Sequence, residues 1–142
     1  QSFNDQLTII DIIGRIIAMG LLCGGFGINV AHELGHRVNK TEQFFAKSLL
    51  LTSLYMHFFI EHNKGHHKHV ATPNDPSTAK YKQSLYSFWL QTFRGTYVKA
   101  WQIAIEDAQK RKSKFPVILN EMALFQFIQI GFCLLIYLNF IT

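Results

Sequence analysis

At 142 residues and 16.4 kDa the chain has the length of one domain, and 49% of it is hydrophobic, gathered into blocks as in a domain immersed in lipid. The formal charge is +5, yet thirteen of the fourteen Lys and Arg lie between Arg37 and Lys114, flanked by apolar blocks, which is what the positive-inside bias produces; the aromatics sit mostly in apolar runs rather than among the lysines, which argues against nucleic-acid binding. The two cysteines, Cys23 and Cys133, stand inside apolar runs without metal-type spacing, which argues against a disulfide framework.

The chain opens at Gln1 with no initiator Met and no leader-like segment, and it stops at Thr142 directly after an apolar run. It is read as an internal piece, residues 1–142, of a longer protein. The first apolar block, about 7–36, carries Asp11 and Arg15 four residues apart, a spacing that pairs them on one helix face. A helix over residues 16–36 runs about 30 Å, the thickness of a hydrocarbon core, and delivers His32 and His36 to its C-terminal end. Gly20, Gly24, Gly25 and Gly27 form a small-residue face for close helix packing.

The second block, about 44–61, is long enough to pass for a span. If the histidines at both its ends serve one metal site they must share one side of the membrane, so it is expected as a single helix lying at the interface or folded back. Residues 62–114 turn polar and basic, with Pro73 and Pro76 forcing a turn. From Tyr81 to Lys112 aromatics recur at three- or four-residue spacing and predict a helix. The last block, about 115–141, is a second span. The expected architecture is all-α and integral to a membrane, with a cytoplasmic segment over 62–114.

The chemistry is concentrated in the histidines. His32 and His36, at i and i+4, project from one helix face. His62 and His66 repeat that spacing and His67 is adjacent, so five imidazoles can converge from two helix ends. Ionisable groups at membrane depth are costly unless used, which makes a metal the expected occupant. Five imidazoles exceed one tetrahedral zinc and point to two metals or to one large site completed elsewhere. His57 and His69 are set aside as a core or interfacial residue and a solvated one. Glu33, Glu61 and Asp75 lie in or beside these boxes and are candidates to accept the outer N–H of a ligating imidazole.

The segment NVAHELGHR at 29–37, followed by EHNKGHHKHVATPNDPSTA at 61–79, resembles the first two histidine boxes of the integral-membrane alkane 1-monooxygenases, non-haem di-iron enzymes related to fatty-acid desaturases and xylene monooxygenase. YSFWLQTFRGTYVKAWQI at 86–103 and NEM at 120–122 continue the resemblance. It implies that His32, His36, His62, His66 and His67 are iron ligands in a two-iron centre. It also implies hydroxylation of the terminal carbon of medium-chain n-alkanes with O2, at the bacterial inner membrane with the site facing the cytoplasm. Two electrons would come from NAD(P)H through a reductase and rubredoxin. Rubredoxins are small and generally acidic, which makes Lys80 and Lys82 candidates for docking one. Arg37 stands where the family commonly has lysine, and Ser77-Thr78 where it has a small-residue pair. No histidine after His69 supplies the family's further C-terminal ligands, so the fragment alone is expected to be inactive. Rival readings are a xylene monooxygenase or desaturase, and a membrane zinc protease in which HELGH serves as H-E-x-x-H. The second box has no use in such a protease.

Overall fold

The computed structural model describes residues 7–141; Gln1 and Thr142, the ends on which a longer parent protein is read, lie outside the described residues. Within them the chain divides between Ser53 and Leu54 into two compact units. Every regular element among the described residues is helical, and two helices are long and apolar enough to cross a membrane, Ile9–Gly35 and Glu121–Asn139. This is the expected all-α membrane architecture.

In the first unit α1 (Ile9–Gly20) begins at a capping box. The Thr8 hydroxyl accepts from the Asp11 N–H, and the Asp11 carboxylate accepts the Thr8 N–H. Asp11, expected to pair with Arg15, has Thr8 as its hydrogen-bond partner and closes the helix N-terminus. The helix then widens into a π-helical turn, Leu21–Gly27, in the glycine-rich stretch, and continues as α2 (Ile28–Gly35). After a short turn Asn39 caps α3 (Lys40–Thr52), its Oδ1 accepting from the Thr41 N–H at 2.8 Å. This helix folds back along α2, burying Ala46 and Leu50, until the Ser53 hydroxyl donates to the Cys23 carbonyl at 3.0 Å. At 13 residues α3 is about 20 Å long, shorter than a hydrocarbon core.

The apolar block expected as one helix over 44–61 is two helices. Its register breaks where Ser53 ends α3 and Leu54 adopts φ 52°, a left-handed conformation uncommon for a branched side chain. At the break the Thr52 hydroxyl donates to the Leu49 carbonyl at 2.7 Å, one of those left open at the end of α3.

The second unit resumes with α4 (His57–Glu61), a π-helical turn His62–His66 and the single turn α5 (His67–His69). Ser84 caps α6 (Leu85–Lys110), whose stripe Thr96, Ala100, Ala104 and Ala108 is buried where α4 and the π turn pack close. Small side chains every fourth residue allow that approach. The helix starts at Leu85 rather than Tyr81 because Lys82 takes a left-handed φ of 61°, and it stops at Lys110, before Lys112 at 55°. The final helix, α7 (Glu121–Ile141), starts six residues inside the expected block 115–141. Pro116 and turns occupy the interval, and Asn120 Oδ1 accepts from the Ala123 N–H at 2.9 Å. Met122 and Phe125 of α7 are buried, and the Gln129 side chain accepts from the Met56 N–H.

Candidate metal centre

In the first unit, α2 ends on the first histidine box. His32 and His36 stand one turn apart with their Nε2 atoms 3.1 Å from each other and their rings edge to face. The sequence spacing produces this directly, since i and i+4 share a helix face. Two ligands about 2.1 Å from one metal at right angles lie about 3.0 Å apart, so the pair has the bite of adjacent ligands. Glu33, between them, turns outward and accepts from Arg37 at 2.7 Å, with both side chains more than half exposed.

In the second unit the second box forms a different pair. The i,i+4 spacing led to an expected match of His62 with His66, but the facing nitrogens belong to His62 and His67, Nε2 to Nε2 at 3.0 Å. The cause is the π turn over His62–His66: closing hydrogen bonds at i→i+5 adds a residue to the turn and brings position i+5 over position i. His66 is stacked beside His62, ring centroids 5.2 Å apart, and directs its Nδ1 to Asp75 at 2.9 Å.

Asp75 is 2% exposed and its oxygens are saturated by local donors. Oδ2 takes the Thr78 hydroxyl at 2.5 Å as well as His66, and Oδ1 takes the Ser77 N–H at 2.9 Å. Burial alone would raise its pKa; the hydrogen bonds from Thr78 and Ser77 and the neighbouring His66 outweigh it and hold the carboxyl below its ordinary value. An ionised carboxylate at Nδ1 keeps that nitrogen protonated and leaves Nε2 of His66 with its lone pair. In the sequence Ser77 and Thr78 stand out only as a departure from the family's small-residue pair and not as donors to Asp75, although two hydroxyl residues directly after Pro-Asn-Asp-Pro are a recognisable turn signature.

Glu61 is 1% exposed, with Oε1 lacking a hydrogen-bond partner. It lies over Gly65: a Cβ there would be 2.8 Å from that oxygen and 3.0 Å from Ile103 Cδ1. Burial, reinforced by the charge of Asp75, pushes its pKa up to about 7 against the pull of His66 and Lys99. Lys64, inside the box and part of the basic segment, is engaged within the fold: its ammonium meets Asp107 of α6 at 2.6 Å and Glu121 at the start of α7 at 3.9 Å. Phe58 stacks on the His62 ring at 4.6 Å and 15°. Lys80 and Lys82 are exposed on the loop before α6, Lys82 above the Tyr81 ring.

Imidazole nitrogens set 3 Å apart in each box, with a third imidazole oriented by a buried carboxylate, suit a borderline metal such as iron, zinc or copper. A family model described as fatty acid desaturase matches residues 12–142. An alkane 1-monooxygenase of Ectopseudomonas oleovorans is 37% identical over 108 residues, 76% of this chain and 27% of that protein. Alkane 1-monooxygenase 1 of Alcanivorax borkumensis is 40% identical over 98 residues, 69% of this chain and 24% of that protein. A second enzyme of that organism, alkane 1-monooxygenase 2, is 34% identical over 119 residues, 84% of this chain and 31% of that protein. The chain thus spans about a quarter of the length of the curated relatives it matches.

Proposed function

We propose, from the premise that this chain belongs to the fatty acid desaturase family, that it is an internal piece of a membrane monooxygenase converting medium-chain n-alkanes to primary alcohols. The observation that carries this is the geometry of the boxes: two nitrogen pairs at ligand spacing and a third imidazole held by Asp75. The substrate class follows the names of the relatives. His32, His36, His62, His66 and His67 would be ligands to non-haem iron, two ions per full-length chain, with histidines elsewhere in the longer protein completing the set.

Bound iron supplies O2 activation, which an unactivated terminal C–H bond requires and no side-chain acid or base provides. The residues of this chain keep the ligand set ready for it. Asp75 retains the His66 proton on Nδ1, the π turn brings His67 over His62, and Phe58 covers one face of the His62 ring. Glu33, ion-paired with Arg37, is poorly placed as the general base that a zinc protease would need. The site faces the cytoplasm at the inner membrane, α3 being a re-entrant or interfacial helix. Electrons arrive from NAD(P)H through a reductase and rubredoxin, which docks at Lys80 and Lys82.

Metal and product analysis of the full-length protein tests this. Two irons per chain and 1-octanol from octane are expected. One zinc with peptidase activity would reverse the assignment, while turnover of xylene or acyl chains in place of octane would move it to another substrate within the same chemistry. Charge reversal, Lys80→Glu with Lys82→Glu, is expected to raise the rubredoxin concentration for half-maximal rate; an unchanged dependence removes the docking site.

A further inference from the structure

Between the turn before α4 and the first turns of α6 lies a cavity of about 640 Å³ lined by Tyr55, Tyr86, Phe88, Trp89, Leu90 and Phe93, with Thr92. Its volume is that of a small-molecule site. The Thr92 hydroxyl in its wall is already engaged, donating to the Pro76 carbonyl at 3.1 Å. Tyr86, Trp89, Leu90 and Phe93 are all more than half exposed, so the cavity is a groove open along its α6 side, and Tyr55, Phe88 and Thr92 form its more buried floor. A ligand inside therefore meets mostly aromatic and aliphatic surface.

The cavity is tied to the second histidine box by stacked rings. Tyr55 stacks on Phe58 at 5.6 Å and 25°, and Phe58 on His62 at 4.6 Å and 15°. The three residues stand at i, i+3 and i+7, so they follow one face from the turn through α4 into the π turn. An extended apolar molecule lying along these rings has one end in the cavity and the other beside His62.

We propose that this cavity holds the unreactive end of the alkane chain, with Leu90, Trp89 and Phe93 setting the length accepted and Phe58 forming the wall along which the chain reaches the metal ligands. This rests on the alkane reading above. An alkane has no polar group by which to be oriented, so selection among homologues comes from burial and shape alone, roughly fourfold per methylene accommodated or excluded.

The full-length enzyme, reconstituted in lipid nanodiscs, is given an equimolar mixture of n-alkanes from hexane to dodecane, and the ratio of alcohols is measured, a quantity that does not depend on the fraction of enzyme folded. Phe93→Ala, which enlarges the cavity, is expected to move the ratio towards longer alkanes. Leu90→Trp, which fills it, is expected to move it towards shorter ones, each by fourfold or more between neighbouring even-numbered homologues. Independently of turnover, a 1-bromoalkane is expected to quench Trp89 fluorescence saturably, with displacement by n-alkane and loss of the saturable part in Trp89→Phe. Product ratios unchanged in both cavity variants of an enzyme that still hydroxylates alkanes would overturn the proposal and leave the proposed function standing. Non-saturable quenching, as from bulk lipid lying in the groove, would also overturn it. Saturable, Trp89-dependent quenching in a protein that hydroxylates no alkane would support an alkyl-chain site while refuting the alkane monooxygenase assignment.

Discussion

Asp75 reaches back nine residues to His66 with both its oxygens already occupied by its own turn. Replacing it with Ala removes three hydrogen-bonded partners from a buried position and frees the His66 ring to rotate or change tautomer. The expected result for Asp75→Ala in the full-length protein is a 10- to 100-fold weaker metal affinity, about the loss found when such partners of ligating histidines are removed. Competitive chelator titration measures it, and affinity within twofold of wild type would deny Asp75 this role. His57 is the opposite case, a buried imidazole, between the rings of Tyr55 and Tyr97, whose Nε2 has no hydrogen-bond partner. Burial lowers its pKa from 6.5 to about 4. Below about pH 6.5 the unfolded chain binds a proton that the folded protein refuses, so stability is level above that pH and falls from there towards pH 4. The steepest loss is about 1.4 kcal/mol per pH unit. His57→Leu removes this liability. Thermal unfolding of the variant is therefore expected to shift less than wild type between pH 7 and pH 5; equal shifts would assign the acid sensitivity elsewhere.

Two glycines determine how closely α6 can be approached. Gly65, in the π turn, faces the ends of two flexible side chains, Glu61, which is buried, and Ile103, which is partly exposed and can give way. Gly95, on α6, faces Pro76, whose Cβ a new methyl would overlap and whose ring has no alternative rotamer to adopt. Gly95→Ala is thus expected to cost more than Gly65→Ala, about 3 kcal/mol against about 1–2. It would also loosen the 71–80 loop that carries Asp75, which the Gln91 and Thr92 side chains anchor through the Pro76 carbonyl. Denaturant unfolding compares the two, and protease cleavage within 71–80 reports the loop; a tolerated Gly95→Ala would show that the loop and helix can separate without loss. Lys64 illustrates what a local pattern omits. As a lysine in a basic segment it counts towards the charge bias, yet it joins the second box to Asp107 and Glu121 on two other helices.

Across the whole chain, composition was sufficient to recognise helices of membrane length. Apolar runs uninterrupted by charge leave backbone groups no partner but one another in lipid, so helix is the available solution. The first box was equally legible, because residues four apart on a regular helix meet whatever packs around them, and His32 and His36 do. The second box was not. Its pairing of His62 with His67 requires a π turn, and in that turn Gly65 lies against Ile103 of α6, 38 residues away in sequence. The break at Leu54 and the return of Asp75 to His66 are likewise long- or medium-range outcomes. Local spacing foretells contacts along an ideal helix; where packing against a distant element changes the helical pitch or folds a loop back, only the assembled chain selects which imidazoles face each other.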